Sequence, residues 1–221
     1  YRPDEFGVDA SETGEARTPR RTGIPREAGI YGLGILTLLA FAPEGTVIDW
    51  SALYLRDELG APLVVSGYAF AAFSATMAAV RFLGDGLRAR FGDRRIFLAS
   101  SAVAATGLAI AGTAPGFLVA CAGFFIAGLG MANMVPILFS AAGAYPGLPP
   151  AVAIAVITTF GYAGLLFMPA FVGALAETFS LALVFTGWSL IVLAVGASSL
   201  VIGYLPSRSS GSADSVSARK S

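Results

Sequence analysis

The sequence predicts an all-α, polytopic membrane protein with six transmembrane helices, and three observations carry that reading. Apolar residues make up 56% of the chain and charged residues 13%, where a soluble domain carries about 25% charge. The apolar residues fall in runs of the roughly 20 residues that cross about 30 Å of hydrocarbon. From Ile96 to Ala176 there is no charged residue, a stretch too long for one span but right for three.

Taken in order, residues 1–29 are rich in Gly, Pro, Arg and acids and cannot bury enough apolar surface to fold alone. They read as a disordered cytoplasmic linker, and the Tyr at position 1 favours a piece of a longer protein. The transmembrane domain occupies 30–205. Its first span runs over 31–54 and its second over 63–83, followed by a short basic loop from Gly84 to Arg95. Ala114-Pro115-Gly116 and Tyr145-Pro146-Gly147-Leu148-Pro149-Pro150 supply turn chemistry that divides the uncharged stretch. That division places spans at 96–113, 117–141 and 151–175. Glu177 marks a turn before the last span, 180–204. Residues 206–221 form a Ser-rich tail with no apolar pattern, expected to be disordered.

Six spans return both ends to one side. Twelve of the fourteen basic residues precede span one, lie between spans two and three, or follow span six. Arg56 alone falls on the opposite face, and Arg81 near the inner end of span two. Cytoplasmic loops carry the excess of Lys and Arg, so both termini are expected in the cytoplasm of a multi-pass plasma-membrane protein.

The composition also removes function classes. Cys121 is the single cysteine and His is absent, so neither a disulfide framework nor a Cys/His metal centre is expected. No cofactor and no metal are predicted, and nucleic acid is not expected as a partner. Gly128-Leu-Gly130 lacks the strand and acidic partner of a dinucleotide fingerprint. Asp85-Gly-Leu-Arg-Ala-Arg90 matches the first half of the signature of CDP-alcohol phosphatidyltransferases. That chemistry needs further carboxylates for divalent metal, and Phe82, Ala99, Val103 and Gly107 stand at those positions. An enzyme is therefore not expected.

The informative stretch is Phe41–Tyr54, where Glu44 and Asp49 interrupt the first span beside Pro43, Gly45 and Trp50. A charge at the bilayer centre costs about 2.5–3.5 kcal/mol on insertion scales, so such residues face a cavity or a partner. Glu44 lies near the middle of the span; Asp49 is close enough to its end to reach water as an alternative. Backbone freed around Pro43 and Gly45 is tolerated at that depth only against protein or a cavity. Glu44, Asp49, Trp50 and Tyr54 are thus candidates for a substrate or proton pathway. Carboxylates with aromatics suit a cation, an amine or a hydroxylated solute. In span four, Asn133 is a second polar intrusion near Pro136, open to two readings: a substrate ligand, or a hydrogen-bonding contact between helices. Thr158, Thr159 and Tyr162 are weaker candidates in span five, since a Thr hydroxyl can bond to its own helix. Small residues such as Gly123, Gly128, Gly130, Gly161 and Gly164 read as close helix packing.

The loop Arg81-Phe-Leu-Gly-Asp-Gly-Leu-Arg-Ala-Arg-Phe-Gly-Asp-Arg-Arg95, with six spans in this orientation, resembles the cytoplasmic loop between the second and third helices of a major facilitator superfamily half. The matching residues are Arg90, Gly92, Arg94 and Arg95, with Arg88 nearby. The family places an acid directly before the Arg-x-Gly; here Ala89 holds that place and Asp85 lies one turn earlier. The resemblance implies a gating loop in which Asp85 pairs with an arginine. It covers residues 30–205 and implies the second six-helix half of a secondary transporter, whose N-terminal six-helix half is the partner across a central cavity. It further implies that spans one and four line that cavity while spans three and six face lipid. The Glu-Gly-x-x-x-Asp-Trp pattern of Glu44, Gly45, Asp49 and Trp50 is similar to the MosC-like branch, linked to rhizopine or other sugar-like solutes. The expected activity is movement of a small solute across the bilayer by alternating access, with a proton carried by Glu44. The alternative is a six-span unit that works alone as a homodimer, receptor or scaffold.

Overall fold

The computed structural model describes residues 27–201, apart from the side chains of Asp85 and Val201. Nearly all of the expected linker, and the expected tail, lie outside the described residues. Within them, six helical spans are long and apolar enough to cross a membrane: Ala28–Glu58, Leu63–Gly84, Asp93–Gly112, Phe117–Gly143, Pro150–Thr178 and Leu181–Leu200. The underlying helices are α1 (Ala28–Leu53), α2 (Tyr68–Phe91), α3 (Asp93–Gly112), α4 (Phe117–Met131), α5 (Met134–Gly143), α6 (Pro150–Thr178) and α7 (Leu181–Val201). Span four is the pair α4–α5, interrupted at Ala132 and Asn133.

The spans pack as a series of close pairs: α1 lies along α6, α2 along α4, and α3 between α4 and α7. Small residues make this possible. Gly107 of α3 and Gly123 of α4 face each other so closely that a methyl group on Gly107 would overlap the Ala127 backbone nitrogen. Between apolar helices in lipid, no hydrophobic force drives association, and such backbone proximity supplies dispersion contacts instead.

Both ends of the bundle are tied by polar contacts. At one end, the Tyr54 hydroxyl donates to the Ala111 carbonyl at 2.7 Å. Tyr54 begins a π-helical turn, Tyr54–Glu58, that continues α1. The carboxylate of Glu58 accepts the backbone N–H groups of Leu181 and Ala182, capping α7 from another span. Unsatisfied N–H groups at a helix start favour an anion there. At the other end, Arg94 donates to the Leu200 carbonyl at 3.0 Å, placing a cation at the C-terminal end of α7.

One expectation changes. The basic loop over Gly84–Arg95 is mostly helix: α2 continues to Phe91 and α3 starts at Asp93, leaving Gly92 as the joint. Leu87, Arg88, Ala89 and Arg90 are good helix formers, so nothing stops α2 earlier. Gly92 does, at φ 83°, a left-handed conformation that a side chain resists. Around Pro43, α1 stays helical, and Pro43 and Gly45 are buried against protein. Gly45 faces the Leu165 side chain of α6 rather than open space.

Candidate functional site

The polar centre lies between α1 and α2. Arg81 donates through Nη2 to Glu44 Oε1 at 3.3 Å. This is long for a charge-assisted hydrogen bond, which runs about 2.7–2.9 Å. The Glu44 side chain is 14% exposed and that of Arg81 46%. Glu44 Oε2 is buried and has no hydrogen-bond partner among the described residues. A carboxylate held this way has one oxygen weakly paired and one open to a donor.

Both groups line a groove of about 470 Å³. Its α2 wall is a single stripe at helical spacing: Phe70, Phe73 and Ser74, Met77 and Ala78, Arg81 and Phe82. Its α1 wall is Glu44 and Ile48, one turn apart. Among the described residues, Ser74 is the one lining side chain besides the ion pair with a hydroxyl or amide that can hydrogen-bond. The arrangement can hold a small molecule with an apolar body and present one donor group and one acceptor group to it.

The other candidates fall elsewhere. Asp49 is exposed and is not among the lining residues. Trp50 packs its ring against Gly173 of α6, and its indole N–H is buried with no partner among the described residues. Tyr54 is fully buried, with its ring against Phe124 and Phe185; it joins spans one, three, four and six and does not reach the groove. Asn133 is buried where span four breaks. Its side-chain oxygen presses on Gly84 of α2, so that any Cβ there would overlap it. Of the two readings of Asn133, the geometry supports a contact between helices, one turn along α2 from Arg81. Thr159 bonds back to the Ala155 carbonyl at 2.8 Å, and Tyr162 is exposed.

Within this chain the groove lies between spans one and two. Span two supplies its second wall, because Arg81 attracts the Glu44 carboxylate and the α2 stripe turns the same way. Spans two and five are the least buried of the six. Only 22% of span five and 28% of span two is buried, against 56% of spans one and three. Sequence reasoning placed Arg81 near the inner end of span two and not in the site. Its register, one turn beyond Met77 and two beyond Ser74, puts it on the face of α2 that meets Glu44.

At the joint between α2 and α3, Arg88 makes a close ion pair. Its Nε and Nη2 donate to the two oxygens of Asp93 at 2.8 and 3.2 Å, and Nη2 also donates to Ser140 Oγ of α5 at 2.7 Å. The acid of this contact is Asp93, in the first turn of α3; the expected pairing of Asp85 with an arginine falls on a side chain outside the described residues. Arg90 lies over the neighbouring Phe91 ring at 5.3 Å, and Arg95 is exposed.

Comparison with known proteins completes the assignment. No solved structure matches the chain. An uncharacterized MFS-type transporter of Yersinia pestis is 36% identical over 170 residues, covering 77% of this chain and 44% of that protein. The membrane protein MosC of Rhizobium meliloti is 33% identical over 174 residues, covering 79% and 42% respectively. An uncharacterized transporter of Sinorhizobium fredii is 32% identical over 158 residues, covering 72% and 42%. The chain thus spans less than half the length of each of these relatives. The family model described as Major Facilitator Superfamily matches residues 33–220, and with six apolar helices packed as above, the chain belongs to that superfamily.

Proposed function

We propose that this chain is one six-helix half of a secondary transporter that moves a small solute by alternating access, and that the groove between α1 and α2 lines its path. The observation that carries the reading is the Glu44–Arg81 pair, two ionisable groups held within apolar spans at the wall of an open groove. Intramembrane charges are costly and mark solute or ion pathways by default. The sparse burial of spans two and five supports a further proposal. An N-terminal six-helix half of the same transporter covers those apolar faces, and the two halves rock about the groove. Both termini then lie in the cytoplasm, with the arginine-rich ends of α2 and α3 at the inner surface of the plasma membrane.

A proton is the coupling ion in this reading. Protonated Glu44 loses its attraction for Arg81, and the 3.3 Å contact between the spans opens. The test uses the full-length transporter in proteoliposomes with an imposed pH gradient. Glu44→Gln should abolish gradient-driven accumulation of solute while leaving solute exchange measurable. Unchanged accumulation would remove the proton from the account. Alternation itself is read from a cysteine at Ser74, in a background without other cysteines. It should react with impermeant thiol reagents from each side in turn as solute and pH are varied. Reaction from one face under every condition would sink the pathway reading, and the six-span unit acting as a receptor or scaffold would take its place.

A further inference from the structure

We infer that the solute bound in the groove is a small zwitterion with an apolar body, its ammonium group on Glu44 and its carboxylate on Arg81. The inference rests on the reading of the groove as a solute path and adds the chemical class.

Charge balance is the first argument. Glu44 and Arg81 sum to zero, so a solute of net charge would leave an uncompensated ion against apolar walls, which is costly. A solute carrying both charges leaves none. The second argument is what each partner still offers. Glu44 Oε2 is buried and unpartnered among the described residues, an acceptor that needs a donor. Arg81 is half-exposed and has several N–H groups, so it can take a carboxylate in a forked contact. The 3.3 Å contact between them is loose enough to open around a ligand that replaces each partner's charge.

The walls decide between a zwitterion and a polyhydroxylated solute. A polyol or sugar needs a polar partner for most of its hydroxyls, because each one buried without a hydrogen bond loses free energy. Among the described residues, the groove offers beyond the ion pair only Ser74, and the remaining walls are Phe70, Phe73, Met77, Phe82 and their aliphatic neighbours. An aromatic or branched aliphatic side chain meets those walls well. The volume of about 470 Å³ falls within the range of about 300–1,000 Å³ common for small-molecule sites.

The test measures binding of four probes to the purified full-length transporter at neutral pH, by ligand-dependent thermal shift. The probes are L-phenylalanine, 2-phenylethylamine, 3-phenylpropionate and myo-inositol. Phenylalanine should bind at least about ten-fold more tightly than either singly charged analogue, and inositol should not bind. Glu44→Gln should turn the preference toward 3-phenylpropionate over phenylalanine, and Arg81→Gln should turn it toward 2-phenylethylamine, because the singly charged analogue then balances the remaining charge. Arg81→Lys keeps the charge and should keep the preference for the zwitterion, which guards against a folding defect in Arg81→Gln. Tightest binding of inositol, equal binding of a singly charged analogue by the unaltered protein, or no binding by any probe would each overturn the inference. If the Ser74 cysteine still alternates in accessibility, the pathway stands and only the solute class falls. If phenylalanine binds with this charge dependence but accessibility does not alternate, the class stands and the pathway falls.

Discussion

Arg88 and Asp93 face each other across Gly92, with two roughly parallel contacts of 2.8 and 3.2 Å joining the end of α2 to the first turn of α3. The same guanidinium reaches Ser140, so one side chain gathers spans two, three and four. Gly92 provides the tight turn that brings the pair together, at the N-terminal end of α3 where an acidic side chain is favoured.

Breaking that contact should loosen this end of the bundle. Arg88→Ala is expected to lower stability by about 1.5–3 kcal/mol, the range for charge-assisted hydrogen bonds at partly buried sites. Arg88→Lys should recover only part of it, since an ammonium cannot make the forked contact. Thermal unfolding of the detergent-purified protein checks the order: unaltered protein, then Lys, then Ala. If Lys and Ala behave alike, charge contributes nothing and the fork is the whole effect.

Tyr54 should behave as a packing residue. Tyr54→Phe removes the hydroxyl that bonds the Ala111 carbonyl and should cost about 1 kcal/mol. Tyr54→Ala also empties the space between Phe124 and Phe185 and should cost about 3–5 kcal/mol. Because Tyr54 lies away from the groove, solute affinity in Tyr54→Phe should match the unaltered protein. A change in affinity without a loss of stability would return Tyr54 to the solute path.

Close approach of α3 and α4 can be tested by adding one carbon. Gly107→Ala drives a methyl group into the Ala127 backbone, and overpacking of this kind costs about 1–3 kcal/mol. Gly187→Ala adds the same methyl where nothing lies within 4 Å; it should be neutral or stabilising by up to about 1 kcal/mol, from helix propensity. Equal effects at the two positions would mean that helix proximity is not what the glycine serves.

The Glu58 cap makes a separate prediction. Glu58→Ala leaves the first N–H groups of α7 without their carboxylate and should destabilise by about 1 kcal/mol. Glu58→Gln retains an acceptor and should lose less. Hydrogen exchange at Leu181 and Ala182 is the direct readout: faster exchange in Glu58→Ala, and little change at Leu200.

Much of the bundle was readable because a membrane imposes simple rules on a chain. The span limits expected at 117–141 and 151–175 agree with Phe117–Gly143 and Pro150–Thr178, since hydrocarbon thickness sets length and proline-rich turns set ends. The joint at Gly92 was harder to place. Arginines look like loop residues in a membrane protein, yet Arg88 and Arg90 sit on helix that runs past the apolar segment. Of the candidate site, Glu44 was legible from its depth alone. Its partner was not, because Arg81 and Glu44 are far apart in sequence and no local pattern says which helix face meets which.

Amino-acid order by itself determined that this chain is a six-span helical bundle, and which residues carry charge into the apolar spans. Those properties follow from the transfer of each side chain between water and hydrocarbon, a residue-by-residue quantity. Tertiary structure alone decided that Arg81 answers Glu44, that Asp93 holds Arg88, and that Tyr54 is a strut between spans. Those pairings depend on how helices rotate about their axes when small residues let them close, and that rotation is set by all the neighbours together.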